Sequence, residues 1–495
     1  MLQTLKNAWN TKDIKNKLLF TLLILVLYRI GTVIPVPFVE ANNFAATFSG
    51  TILDYMDTLS GGSLGAMTLF ALGVQPYINA SIIIQLLAVV FPKLGELAKS
   101  DKKTMGYVTR ITTVVLAIVT AVGYYFLLKN GNGTTKFLTY QALEGKNAWF
   151  YAIVIIACYT AGASLVMWLA ERINEKGIGN GVSVILFANI IASVPSFIKN
   201  LVNFVYSTYS YTDKAWMYAI ISTVFALVLV ALLLALICFV IFVTGSERRI
   251  PVQYAKKVVG RKMYGGQSSN LPIKLNMTGV MPVIFASSIL SVLPTILQFC
   301  SITEESEGFW GGVLRVFSSR GVVYPILFFI LIIAFAYFYT QISFDPVEVS
   351  NNIKRQGGTI PGIRQGRPTA LYIKKILNKV TLAGALFLSI VAILPIILGP
   401  HVFTPILETI FMAEPSVKTY QEAIAENSGN AWYYNYLMTG NASISPVDMV
   451  KSNAQALAGV FTFGGTSILI IVGVVLETFR ELEAQLTMRN YKGFL

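Results

Sequence analysis

Histidine and cysteine are nearly missing from these 495 residues: one histidine, His401, and three cysteines, Cys158, Cys238 and Cys300, with no CxxC pair. A metal centre needs several such ligands at close spacing, so neither a metal site nor a cofactor is expected. Charge is scarce as well. Asp, Glu, Lys and Arg make up 13% of the chain, about half the share that a soluble domain uses to cover its surface. No G-x-x-x-x-G-K-[ST] phosphate loop occurs, which removes nucleotide hydrolysis by that route. GIGNG at residues 177–181 has suggestive glycines, but it follows a helical run rather than a strand and reads as a loop. No carboxylate pair falls inside an apolar run, which leaves hydrolysis and proton relay without their groups. The chain reads as something other than an enzyme.

What is present is hydrocarbon. Hydrophobic residues are 55% of the chain, gathered into ten runs of about 20 residues, the length a bilayer demands. They lie near 18–36, 72–92, 111–128, 148–170, 179–198, 216–244, 279–300, 322–343, 380–398 and 457–478. The expectation is an all-α polytopic membrane protein with ten transmembrane helices. The three cysteines fall in or beside these runs and read as buried small hydrophobes. Residues 1–17 carry Lys6, Lys12, Lys15 and Lys17 between Leu2, Leu5, Trp9 and Ile14, the pattern of a basic amphipathic segment on a membrane surface. The run after it starts like a signal peptide, but no convincing cleavage site follows, so it reads as a retained first span.

Lysine and arginine orient the spans. With the amino terminus inside, 28 of the 38 Lys and Arg fall on inside segments and 9 on outside ones. That bias of about threefold places both termini in the cytoplasm. The remaining one, Arg29, lies within the first span and reads as snorkelling or pairing at its outer edge.

The stretch Leu59 to Leu87, LSGGSLGAMTLFALGVQPYINASIIIQLL, interrupts the pattern. Gly61, Gly62, Ser63, Leu64 and Gly65 make a poor spanning helix, and Gly73, Gln75 and Pro76 break the chain again. Ile78 and Ile82 then stand four apart on one helix face. Asn79, Ser81 and Gln85 bring polar groups to membrane depth, tolerated only where a helix faces protein or a watery cavity. This stretch is the candidate pore, although isoleucine is common in spans and ordinary helix packing produces the same spacing.

Two inside loops, 245–274 and 345–379, are longer and more basic than orientation requires. They read as a docking surface for a large acidic partner, and one bearing RNA would fit. The last outside loop, 399–456, holds Trp432, Tyr433, Tyr434 and Tyr436 among Glu408, Glu414, Glu422 and Glu426, and reads as a small helical cap beside the outer mouth.

The segments SGGSLGAMTLFALGVQPYINASIIIQLL, MWLAERINEKGIGNGVSVILFANI, RRIPVQYAKK, LPIKLNMTGVMPVIFASSIL, IPGIRQG and FGGTSILIIV together resemble the SecY family of protein-conducting channels. The resemblance covers most of the chain. It implies two pseudosymmetric halves, residues 18–199 with spans 1–5 and residues 200–495 with spans 6–10, around a central pore, the last residues 479–495 forming a cytoplasmic tail. It implies a constriction at Ile78, Ile82, Leu186, Ile190, Ile284 and Ile470. It also implies a short plug helix at about 56–68, including Leu59, Gly61, Gly62, Leu64 and Gly65. A lateral gate would hold Thr113 and Asn276, joined by a hydrogen bond of about 1 kcal/mol.

Arg248, Arg249 and Arg364 would meet a motor or ribosome. Gln365 departs from the family's proline there, leaving the loop's shape open, and the long insert 399–456 departs from the family's short connection. The implied partners are the SecE and SecG small subunits, the SecA motor ATPase, the ribosome, an unfolded preprotein with its signal sequence, and membrane lipid. The implied location is the bacterial cytoplasmic membrane. The rival readings are a secondary transporter of small solutes, which also uses broken helices, and a non-conducting membrane scaffold.

Overall fold

The computed structural model describes residues 2–40, 52–131, 137–139, 142, 148–210, 215–254, 257–259, 262–264, 268–300, 302, 308–317, 321, 323–399, 402 and 465–487. The expected cap within 399–456 therefore falls almost wholly outside the described residues. Helices form where the apolar runs lie. In chain order they are α1 (Leu2–Asn10), α2 (Lys12–Gly31), α3 (Ile52–Ser60), α4 (Gln75–Val90), α5 (Pro92–Ser100), α6 (Lys102–Asn130), α7 (Ala148–Lys176) and α8 (Gly181–Ser210). There follow α9 (Ala215–Gly245), α10 (Met281–Phe299), α11 (Phe309–Phe317), α12 (Val323–Ser343), α13 (Pro346–Arg355) and α14 (Arg367–Leu398), and then α15 at residues 465–487.

Ten of these match the ten apolar runs in order: α2, α4, α6 to α10, α12, α14 and α15. Among the described residues, seven helices are long and apolar enough to cross a membrane, namely α6 to α10, α12 and α14. Helix α4 is a shorter apolar helix of 16 residues.

Local chemistry sets the helix starts. Proline opens α4, α10 and α13 in the first turn, where the missing N–H has no intrahelical partner to lose. Asp101 caps α6, its carboxylate accepting from the Lys103 and Thr104 amides at 3.0 and 3.3 Å. The Thr104 hydroxyl also donates to it at 2.6 Å, and that bond leads in holding the carboxyl below its ordinary range. At the amino terminus Thr11 sits in extended backbone at φ −94° and ψ 109°, so a first helix ends at Asn10 and a second begins at Lys12.

Burial is distributed as a lipid solvent requires. On α9 the side chains of Val224, Leu227, Val228, Leu234 and Phe239 are exposed, which costs nothing in hydrocarbon. The cysteines follow this pattern and correct the sequence reading. Cys238 and Cys300 are exposed, Cys158 is half-buried, and all three thiols are free.

The two basic loops, 245–274 and 345–379, add short strands to the mostly helical chain. Strand β1 (Glu247–Tyr254) pairs antiparallel with β4 (Ser268–Lys274), from Glu247↔Lys274 to Gln253↔Ser268. Between them β2 (Lys257–Val259) and β3 (Lys262–Tyr264) form a second small hairpin. The second loop adds β5 (Gly358–Thr359) to the other edge of β1 through Gln253↔Thr359 and Tyr254↔Gly358. The two basic loops are thus one structure. Ile250 and Val252 alternate inward into a cluster with Ile273, Ile353, Ile360, Ile373 and Leu377, the two-residue period of a strand with one buried face.

Both ends of the described chain meet at one end of the bundle. Ala8, Ile14, Ile178 and Leu482 share a cluster, and the Lys17 ammonium donates to Gln485 Oε1 at 3.2 Å. The GIGNG turn lies in the same place. Its Ile178 amide donates to Thr21 Oγ1 at 3.1 Å and its Gly179 amide to Glu481 Oε2 at 2.8 Å, which makes it a staple between α2, α8 and α15.

Candidate pore, plug and gate

Ile78 and Ile82 project from one face of α4, Leu186 and Ile190 from one face of α8, Ile284 from α10 and Ile470 from α15. All six are buried and belong to a single cluster. Four helices far apart in sequence thus contribute these aliphatic side chains to one large buried cluster, which also takes in Tyr28, Phe285 and Phe328. Branched hydrocarbon without polar atoms offers water and ions nothing to bind, and a collar of this kind seals by dewetting.

Leu59, near the end of α3, packs against the same cluster. The helix here lies mostly upstream of the expected plug. It spans Ile52–Ser60, and of the expected 56–68 only residues 56–60 are helical. Gly61 and Gly62 stand at φ 72° and 82°, the left-handed region that stops a helix at little cost for glycine alone. The glycines therefore end the helix instead of weakening its middle. Leu64 and Gly65 lie in the turn beyond, pinned where the Gly65 amide donates to Asp57 Oδ1 at 2.7 Å. Leu64 is buried in a second cluster with Leu53, Met67 and Tyr124. A cavity of about 20 Å³ lies between Met56, Leu59 and Ser60 on one side and Gly73, Gln75 and Tyr124 on the other. Atoms lining such a gap forgo dispersion contacts, so this side of α3 adheres less than a filled core would.

At the expected gate, Thr113 and Asn276 are both buried, but the anticipated bond between them is not formed. The Thr113 hydroxyl donates instead to the Thr109 carbonyl in its own helix at 2.7 Å, the usual resort of a helical threonine. Asn276 Oδ1 is left without a hydrogen-bond partner among the described residues. The polar link across this seam comes from residues that sequence reading left unassigned. The Tyr339 hydroxyl of α12 donates to Gln85 Oε1 of α4 at 2.6 Å, while Gln85 Nε2 donates to Ser81 Oγ at 2.8 Å. Gln85 inside an apolar run was the available signal; its partner, 254 residues away, was not readable.

On the two basic loops, Arg248, Arg249 and Arg364 are all exposed. Arg249 Nε is bound to Glu247 Oε1 at 2.7 Å, so part of its charge is already answered. Gln365, in place of the family's proline, has a definite role in this turn: its Nε2 donates to the Gly358 carbonyl at 3.1 Å. The Thr369 hydroxyl donates to the Arg364 carbonyl at 2.7 Å and Ser350 Oγ to the Gly366 carbonyl at 2.8 Å. Side-chain hydrogen bonds thus shape a loop that a proline ring would shape by restricting φ. Arg29 does not snorkel. Its Nη2 donates to the Ala188 carbonyl at 2.7 Å, and its Nη1 lies 3.5 Å from the Gly61 carbonyl.

The model of the SecY family matches residues 68–413, which contain Ile78, Ile82, Leu186, Ile190 and Ile284, together with Thr113, Asn276, Arg248, Arg249 and Arg364. The chain belongs to the SecY family. Relatives described as protein translocase subunit SecY include those of Streptomyces coelicolor, 37% identical over 510 aligned residues, and Mycobacterium bovis, 36% identical over 509. Each match covers 100% of both chains. Among solved structures, one titled "The structure of a protein conducting channel" matches with a TM-score of 0.56 at 17% identity, covering 95% of this chain and 92% of that one. Sec61 in a canine ribosome–channel complex matches with a TM-score of 0.53, also at 17% identity and with the same coverage. These last two likenesses establish the SecY fold. The family makes the chain a multi-pass membrane protein and does not favour the small-solute transporter.

Proposed function

We propose that this chain is the pore subunit of a Sec-type translocase, passing unfolded polypeptide across the cytoplasmic membrane and releasing apolar segments sideways into lipid. The observation that carries this reading is the single buried cluster uniting Ile78, Ile82, Leu186, Ile190, Ile284 and Ile470, with Leu59 of the plug helix packed on it. In this reading the lateral seam runs between α4 and α6 on one side and α10 and α12 on the other, with Thr113 and Asn276 in it. The two halves are 18–199 and 200–495, with both termini in the cytoplasm by the Lys and Arg distribution. The pore itself supplies no energy, and no catalytic group is assigned. The SecA motor or a translating ribosome would push the chain from the surface carrying Arg248, Arg249 and Arg364, and SecE and SecG would complete the complex. A solved relative of this fold sits in a ribosome–channel complex, which supports the ribosome among these partners.

The test places asparagine in the collar. Ile82→Asn or Ile284→Asn should wet the constriction, giving ion leak in reconstituted vesicles and better export of preproteins with weak signal sequences. Variants that assemble, stay ion-tight and keep full signal selectivity would overturn the collar assignment.

A further inference from the structure

The last carbonyls of a helix have no intrahelical partner and carry the negative end of its dipole. At the end of α3 two other helices reach such carbonyls, that of Leu59 in the last turn and that of Gly61 just beyond it. Asn189 of α8 is fully buried and its Nδ2 donates both to the Leu59 carbonyl at 2.8 Å and to the Tyr28 hydroxyl of α2 at 2.9 Å. The Leu59 carbonyl can only accept, so the amide nitrogen has to face it. Arg29, next to Tyr28, ties α2 to α8 through the Ala188 carbonyl and presents its other Nη to the Gly61 carbonyl. The fit leaves no room for a side chain at residue 61: a Cβ there would lie 2.9 Å from Asn189 Oδ1 and 3.1 Å from Arg29 Nη1. The Arg29 charge is thus held firmly on α8 at the Ala188 carbonyl and lies 3.5 Å from the Gly61 carbonyl, just past the end of α3, where a low dielectric strengthens even a long contact.

We propose that Arg29 and Asn189 form a clasp on the plug, and that the clasp sets how strong a signal sequence must be to open the channel. The inference rests on the pore reading and adds to it the residues that determine stringency. Two features make it a clasp rather than general packing. Its bonds reach the chain at the end of α3 only. They go to backbone carbonyls, so no plug side chain is needed.

The experiment uses the assembled complex in vesicles, with Cys158, Cys238 and Cys300 replaced by alanine and Met56→Cys as the reporter. Labelling by a water-soluble maleimide, without any substrate, reads how often the plug leaves its seat. Arg29→Gln and Asn189→Ala should each raise the labelling rate about tenfold, the loss of about one hydrogen bond to a charged or buried group. Both should also improve export of a preprotein with a weakened signal, and Arg29→Lys should restore part of the restraint, because it keeps the charge but not the two-pronged geometry. Unchanged labelling in variants that assemble normally would overturn the clasp. Should both variants fail to assemble, Gly61→Ala decides, since it leaves Arg29 and Asn189 in place and crowds the plug off them. No rise in its labelling would then end the proposal. A wild-type complex that moves no preprotein would instead defeat the pore reading, while the labelling arm still reports on the clasp.

Discussion

Gln85 is one polar side chain in the run from Ile82 to Leu87, and its two bonds put it at the seam between α4 and α12. Tyr339→Phe removes only the hydroxyl and keeps the ring, which meets Phe285 edge-on at 5.0 Å between centroids. Gln85 Oε1 would then lose its partner, at a cost of about 1–3 kcal/mol to the closed seam. The expected outcome is easier lateral opening, read as more membrane insertion of a marginally apolar test segment in cells. Insertion no greater than wild type would remove Tyr339 from the gate. At this scale the shared faces of Ile78 with Ile82 and of Leu186 with Ile190 were legible, because four-residue spacing on a helix reports a face directly. The destinations of Arg29 and Thr113 were not, since a side chain chooses among carbonyls that only the folded chain brings near.

The loop elements show how much pairing depends on distance along the chain. Ile250 and Val252 alternate with exposed neighbours, a strand signal present in RRIPVQY. The partner β5 lies about a hundred residues further on, and nothing in GGTI announces a strand. Gln365 is the element's internal brace. Gln365→Ala should free the turn around Arg364 and lower SecA-driven export several-fold, while Gln365→Pro should restore it by fixing the backbone another way. Arg364→Glu should impair the same ATP-driven export without harming assembly, because the side chain is exposed. Normal export by Arg364→Glu would exclude that residue from motor docking. The plug helix carries a similar lesson: glycine marked an interruption correctly, yet the interruption is the end of α3 and its helix lies upstream of the glycines.

For the whole molecule, the testable quantity is orientation. The cluster of Ala8, Ile14, Ile178 and Leu482 puts α1, the GIGNG turn and α15 at one end, and the basic sheet follows α9 directly. If 28 of 38 Lys and Arg mark the inside, a cysteine at position 364 or at position 10 should react only with reagent on the cytoplasmic side. A cysteine at Phe38 should react only from the other side. Any reversal of that pattern would refute the assigned topology.

The sequence alone determined that this chain is a ten-run polytopic helical protein, which of its ends and loops carry the positive charge, and which aliphatic residues share helix faces. Those properties are local or additive: run length against bilayer thickness, summed charge, and spacing within one helix. Tertiary structure alone decided that four helices place their isoleucines and leucine in one buried cluster, that two basic loops join in one sheet, and that a buried asparagine and a half-buried arginine reach the end of α3. Each of these joins groups from different elements, most of them more than a hundred residues apart. Hydrogen-bonding groups buried away from water must find partners wherever the packing puts them.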